Sequence, residues 1–254
     1  MRPRILVPAL ALGGVCALGT ALLVSAPDSD AATTSAFGAT GTPKERKNVK
    51  PVLQGSAVER SAQQSQKSLA KAGLSVPSGW QPVQAREERH EDRPVTVVRY
   101  ERGTRPTPGG EHITTVVDGE GTLLGYTRMT LDAATSSAPS DAAAEKAAFA
   151  WMKRFVPEHA AGLSLQWVDR HDEEVRDRSG AKRTVSGAKV KSRHDNGLYT
   201  WVIVDGKGAV ITYERDIRWD GSQGRRATQM WLHDKWIAAR EGNGPQPASP
   251  YARA

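Results

Sequence analysis

The sequence predicts an α+β protein of two tandem units, each a helix packed on one face of a curved antiparallel sheet, followed by a short C-terminal hairpin. Three observations predict it. Residues 112–128, HITTVVDGEGTLLGYTR, recur as residues 199–215, YTWVIVDGKGAVITYER, without a gap at an offset of 87. Six of the seventeen positions are identical: Val117/Val204, Asp118/Asp205, Gly119/Gly206, Gly121/Gly208, Tyr126/Tyr213 and Arg128/Arg215, so the chain carries an internal duplication. Trp80 and Trp167 stand at the same offset, and Ala72-Gly73-Leu74-Ser75 recurs two residues out of step as Ala161-Gly162-Leu163-Ser164. Second, a helix-period segment precedes each copy. Third, each copy holds four β-favouring runs separated by turn residues.

The elements follow in order. Arg2 and Arg4 precede an uncharged stretch from Ile5 to Ala26, the layout of a secretory signal. Cleavage after Ala31 is favoured over Ala26, because Pro27 follows the earlier site, so residues 1–31 are expected as signal peptide. The apolar run is long for a signal core, which leaves an uncleaved membrane anchor through residues 5–26 as the alternative. Either places the remainder outside the cytoplasm. The single cysteine, Cys16, lies in this run after Val15. A lipidation site wants a small residue there, so lipidation is not expected. With no other cysteine, a disulfide framework, a cysteine zinc site and a thiol catalyst are excluded from the rest of the chain.

Residues 32–56 carry no amphipathic period and read as a flexible linker. The first unit spans 57–131, with a helix over about 57–72 whose weak stripe is Val58, Ala62 and Leu69, and strands near 79–89, 94–102, 111–118 and 122–131. The second spans 140–218. Ser140 caps a helix with Ala144, Ala147, Ala148, Trp151, Met152 and Phe155 on one face, ended by Pro157. Strands are expected near 164–175, 183–193, 198–205 and 209–217. Asp-Gly-Glu-Gly and Asp-Gly-Lys-Gly form the hairpin loops, glycine supplying the positive φ. Residues 219–240 form the C-terminal segment, where TQMWLHDKWIAAR fits either a hairpin turning at His233-Asp234-Lys235 or an amphipathic helix. The hairpin is favoured because Trp231 and Trp236 then flank the turn. Residues 241–254, with Pro245, Pro247 and Pro250, read as a disordered tail.

The helix SDAAAEKAAFAWMKRFVP followed by strands ending in WVIVDGKGAVITYER resembles the PepSY-type unit and the related YcdB/YcdC-type repeats. The matches are Ala144, Ala147 and Phe149 or Trp151 on the helix, then Trp201, Asp205, Gly208, Val210 and Tyr213; the first copy matches through Asp118, Gly121, Leu123 and Tyr126. The resemblance covers about residues 57–218. It implies a non-catalytic module, since PepSY-like domains occur in propeptides of secreted thermolysin-like metallopeptidases and in exported proteins thought to restrain or assist peptidases. No H-E-x-x-H motif is present, so action on a peptidase would be in trans.

Candidate chemistry is sparse. The six histidines lie at 90, 112, 159, 171, 194 and 233, without the i, i+4 spacing of a helical metal site. Arg89-His90-Glu91, Arg170-His171-Asp172 and Arg193-His194-Asp195 read as polar strand ends with weak local ion pairs, and His112 as a packing position. No G-x-S-x-G elbow exists. Acidic pairs such as Glu173-Glu174, Glu91-Asp92 or Asp216 with Asp220 give no ground for choosing a glycosidase dyad. Asp118 and Asp205 offer too few oxygens for calcium and read as turn residues. No catalytic residue, cofactor or metal ligand is therefore expected.

The 254 residues are 38% hydrophobic and 25% charged, with a net charge of +7, which removal of residues 1–31 leaves unchanged. No recognition helix or RNA-binding aromatic motif accompanies the basic residues, so nucleic acid is not an expected partner. An anionic envelope polymer is. Of the seven tryptophans, Trp80, Trp151, Trp167 and Trp201 fit core positions. Trp219, Trp231 and Trp236 have no counterpart in the first copy; they either cover an open sheet edge or, with Arg225 and Arg226, form a partner-binding surface. The expected function is an exported, non-enzymatic module that inhibits or assists the folding of an extracellular peptidase. The alternative is an envelope protein that binds anionic polymer or glycan.

Overall fold

The computed structural model describes residues 52–254. The expected signal peptide, the cleavage site at Ala31, Cys16 and the linker as far as residue 51 lie outside the described residues. Among those described, no helix is long and apolar enough to cross a membrane.

The order of elements is α1 (Ser56–Lys71), β1 (Gln81–His90), β2 (Arg93–Glu101), β3 (His112–Asp118), β4 (Leu123–Met129), α2 (Asp141–Phe155), α3 (Pro157–Ala161), β5 (Leu163–Arg176), β6 (Lys182–His194), β7 (Tyr199–Val204), β8 (Val210–Ile217), β9 (Trp219–Asp220), β10 (Arg225–Arg226) and α4 (Asp234–Arg240). Strands β1 to β8 form one sheet in the order β1-β2-β3-β4-β8-β7-β6-β5, every neighbouring pair antiparallel. Two four-strand meanders, each preceded by a helix, therefore join through their last strands. The pairing there is Gly125 with Glu214, Tyr126 with Tyr213 and Thr127 with Thr212. Tyr126 and Tyr213 are the same position of the duplicated stretch, so equivalent residues meet across a local two-fold, as in an isologous interface.

Both long helices lie on one face. Ala62 and Leu69 of α1 and Ala144, Ala148 and Met152 of α2 pack with Val98, Tyr100, Ile113, Val117, Val190, Val202 and Tyr213 in one core. Ser140 caps α2, its Oγ accepting from the Ala143 amide. The recurring Ala-Gly-Leu-Ser has a packing reason in its first copy. Gly73 has a φ of 65°, and a Cβ there would stand 2.2 Å from Phe155 Cζ. Glycine ends α1 in the left-handed conformation and lets the α2 ring approach the backbone. Trp151 Nε1 donates to the Ala72 carbonyl at 3.1 Å beside it.

The opposite face is covered differently in the two halves. Over the first half, Met230, Trp231, Leu232, Trp236 and Ala252 pack on Val95, Val97, Val116 and Leu124. Over the far end of the second half, Met129 and Ala133 pack on Val175, Val185, Ile203 and Ile211.

Three expectations need correction. The segment at 233–240 is the helix α4, not a hairpin turning at His233-Asp234-Lys235. A different and smaller hairpin, β9 with β10, precedes it. Helix wins because Trp231 and Trp236 then meet edge to face, centroids 4.9 Å apart, on the same apolar floor. The tail over 241–254 is ordered: Ala252 is fully buried, the Arg226 amide donates to the Pro250 carbonyl at 3.0 Å and Arg86 pairs with Glu241. The folded part begins before residue 57, since the Leu53 amide donates to the Ala85 carbonyl at 2.9 Å and Val52 bridges Arg86.

Candidate functional site

That last contact makes the two edges of the sheet unlike. The outer edge of β1 is partly covered by Val52 and Leu53. Among the described residues, the outer edge of β5, 14 residues long, meets only Gly109 and Gly110, at its end: the Arg176 amide donates outward to the Gly109 carbonyl at 2.8 Å. Backbone direction alternates along a strand, so residues 170, 172 and 174 also turn their N–H and C=O groups outward. The Arg170 amide is met by its neighbour's Asp169 Oδ1 at 2.8 Å. Among the described residues, nothing pairs with the backbone at Asp172 and Glu174. Among the described residues, the two exposed large hydrophobic residues, Leu165 at 39% and Trp167 at 43%, are both on β5.

The face of the second half opposite the helices holds a row of side chains across four strands. Trp167 pairs with Lys191, Lys191 with Trp201, and Trp201 with Glu214. The alternation that turns Ala188 and Val190 into the helix-side core turns Lys189 and Lys191 to this face. Lys191 Nζ lies 5.4 Å from the Trp167 ring, 4.3 Å from Tyr199 and 4.6 Å from Trp219, and Lys189 Nζ lies 3.9 Å from Trp201. These are cation–π distances. Neither ammonium has an ion-pair or hydrogen-bond partner among the described residues. Burial lowers the Lys189 pKa from its ordinary 10.5 to about 8, the lowering field of Arg226 partly offsetting the raising effect of Glu214; burial also lowers that of Lys191.

Behind this row lies a paired cluster. Glu214 accepts from Arg226 Nη1 at 2.6 Å and Trp201 Nε1 at 3.1 Å, with His233 Nε2 at 3.5 Å. Burial alone would raise the Glu214 pKa, but Arg226 and His233 hold it far below the usual carboxylate range. Arg226 is held further by Nε donating to the Thr228 carbonyl at 2.8 Å and Nη2 to the Gln229 carbonyl at 2.7 Å. His171 Nε2 contacts Glu173 Oε1 at 3.0 Å. Burial pushes the Glu173 pKa up, and the hydrogen bond with His171 together with the charges of His233 and His171 brings it below its ordinary value. The pairs are internally satisfied, so their chemistry is that of fixed charges.

The residues expected to meet a partner are therefore divided. Trp231 and Trp236, 2% and 1% exposed, are interior, which excludes them from a surface. They cover a sheet face rather than an edge. Arg226, 3% exposed, is the internal counter-ion of Glu214. Arg225 and Trp219 are half-buried in the β9–β10 hairpin, and Trp219 reaches the row through Lys191. Trp167, expected in the core by analogy with Trp80, is instead on the open face. Lys189, Lys191 and Tyr199 went unnoticed in the sequence; the available signal was Ala188-Lys189-Val190-Lys191, two lysines at period 2 against an apolar alternate face.

The other expected polar positions serve the fold. Asp118 Oδ1 accepts from the Glu120 and Thr122 amides at 3.0 and 2.8 Å, and Asp205 Oδ1 from Lys207 and Ala209, both at 2.9 Å. Those bonds close the Asp-Gly-x-Gly turns. His112 is buried, as a packing position should be. His90, read as a solvated strand end, is also buried, with Nε2 3.1 Å from the Asp216 carbonyl. No group of three or more His, Cys, Asp or Glu among the described residues is placed to hold a metal ion.

Lys189 itself has a stability consequence. Its folded pKa is lowered, so the unfolded chain binds the proton more tightly between about pH 8 and 10.5, and folding stability rises with pH across that window. Below it the cost is fully present. Lys189→Met, which keeps the length of the side chain, is expected to stabilise the protein by about 1–3 kcal/mol at pH 7. The gain should shrink toward pH 10.5 in urea denaturation curves; a loss of stability at pH 7 would contradict the assignment.

No family model matches the chain, and no curated protein matches it either.

Proposed function

We propose that the chain is an exported, non-enzymatic binding module that modulates an extracellular peptidase in trans, as inhibitor or folding aid. The observation that carries the reading is the open outer edge of β5, where the backbone of Asp172 and Glu174 faces outward without a partner among the described residues. An extended segment of the peptidase adds there as a further strand, main-chain hydrogen bonds supplying affinity. Leu165 and Trp167 supply apolar contact at one end of the edge. The charged side chains of Asp169, Arg170, Asp172 and Glu174 guard against indiscriminate pairing, as on other long edge strands. On this reading the two halves are PepSY-like repeats that have diverged. The first is the scaffold, its edge partly and its open face largely covered, and the second is the binding half.

The test is Asp172→Pro. Proline removes an outward N–H and leaves the β5–β6 ladder intact, which edge positions tolerate. Inhibition or refolding of a metallopeptidase secreted by the same organism is expected to weaken at least tenfold while the melting temperature holds. Undiminished activity of a folded Asp172→Pro protein would refute strand addition.

A second reading, binding of an anionic envelope polymer, is favoured by one observation: the two unpaired ammonium groups of Lys189 and Lys191 among four aromatic rings. Salt separates the readings. Polyanion binding falls steeply with ionic strength, whereas strand addition with apolar contact does not.

A further inference from the structure

We propose that the row formed by Trp167, Lys191, Tyr199, Trp219 and Lys189 is a binding site for an acidic polysaccharide, a chain of sugar rings bearing carboxylates. This deepens the polymer reading just given, and rests on it, by naming the residues and the ligand chemistry.

The charge argument comes first. A half-buried ammonium costs free energy unless a counter-ion reaches it, and this fold supplies its other buried cations with carboxylates. Arg226 has Glu214, Arg99 has Glu101 and Asp234, and Arg86 has Glu241. Lys189 and Lys191 are treated differently: each rests over aromatic carbon, which stabilises a cation while leaving its N–H donors free for an acceptor. The two lysines are two residues apart on one strand and one face, so their Cα atoms are about 6.6 Å apart. That spacing suits two charges on one chain better than a single small anion.

The shape argument selects the sugar. Trp167 is 43% exposed on the outermost strand and Trp219 is half-buried, their rings 5.4 and 4.6 Å from Lys191 Nζ. Two indole rings beside one ammonium offer flat apolar faces next to a charge. A pyranose ring carries apolar C–H faces for the indoles and, when oxidised to a uronic acid, a carboxylate at its rim for the lysine. A linear inorganic anion has no such face. An oligonucleotide offers bases and phosphates to such a surface, but its charges sit on the backbone apart from the flat bases, whereas a uronic acid carries its carboxylate on the ring that stacks.

The experiment measures affinity of the full chain by tryptophan fluorescence titration at low salt, with four probes: polygalacturonate, neutral dextran, inorganic polyphosphate and oligo-dT. Polygalacturonate is expected to bind at least tenfold more tightly than each of the others. Lys191→Met and Trp167→Ala should each weaken it at least fivefold, and Lys191→Arg should retain most of the affinity. Lys189→Met should weaken it while raising the melting temperature, which separates loss of the site from loss of the fold. Lys153→Met, on α2, should change nothing. Equal binding of polyphosphate and polygalacturonate, unaffected by the Lys191 and Trp167 variants, would leave the polymer reading standing and refute this site. Binding of no anionic probe would refute both, and tighter binding of oligo-dT would replace the sugar with a nucleic acid.

Discussion

Arg226→Ala is expected to cost about 3–5 kcal/mol of stability at pH 8, among the largest effects of any single truncation in the molecule. Arg226 is 3% exposed and its guanidinium is the charged partner of Glu214, itself 3% exposed. Removing it leaves a carboxylate in the interior with one indole N–H and a histidine at 3.5 Å. The effect has a defined pH dependence. In the intact protein the folded pKa of Glu214 is depressed, so its stabilisation is present above the ordinary carboxylate range and is lost as pH falls through the folded value. In Arg226→Ala the first-order force on Glu214 is burial, which raises its pKa, so the carboxyl protonates on mild acidification. The deficit relative to the intact protein should therefore be smaller at pH 4 than at pH 8. Urea denaturation of both proteins at the two pH values checks this. A deficit below about 1 kcal/mol, typical of exposed pairs, or one independent of pH, would show that the pair is not buried as described.

Trp236→Ala should have a comparable effect through a different cause. Trp236 is 1% exposed in the core that joins α4 and the C-terminal residues to β2, β3 and β4. Truncation of a buried tryptophan leaves a cavity and costs about 3–5 kcal/mol, which for a chain of this size lowers the melting temperature by roughly 6–20 °C. The nearby contacts depend on it: Trp231 stacks edge to face against it, and Arg240 lies 5.5 Å from its ring. Trp167→Ala is the contrast, since 43% of that residue is exposed and its loss should change stability by about 0.5 kcal/mol or less. If the two substitutions lowered the melting temperature equally, the division of tryptophans into interior and surface would be wrong.

That division was only partly legible in the sequence, for reasons that lie in particular residues. The duplication at offset 87 located the strands, because it fixes turns and hydrophobic alternation together. It contained no information on which strands join the halves; the meeting of Tyr126 with Tyr213 depends on packing of both helices on one face. The seven residues of α4 are too few for a period to be read. The tail has the composition of a loose segment, while its order comes from a distant apolar floor at Val95, Val97, Val116 and Leu124. A small residue such as Ala252 gives no local sign of that. Trp167 stands at the repeat offset of Trp80 but not in its surroundings: Trp80 precedes β1 and packs against the helix-side core, whereas Trp167 follows the bulge after Leu165 on the outermost strand.

The covering of one half and the opening of the other give the account its functional content. The C-terminal segment closes the open face of the first half, Val52 and Leu53 meet its edge, and no described residue does the same for β5 between Leu163 and Val175. The cations follow the same division, with carboxylate ion pairs for Arg99 and Arg226 and, among the described residues, aromatic contacts without an ion pair for Lys189 and Lys191.

The most direct test is a paired pull-down from the producing organism's culture fluid and envelope fraction, with the intact protein and the Asp172→Pro protein as baits, washed at low and then high salt and read by mass spectrometry. The account predicts a metallopeptidase that survives the high-salt wash on the intact bait and is missing from the proline bait. Recovery of the same peptidase on both baits, or of anionic polymer alone that washes off with salt, would contradict strand addition at β5.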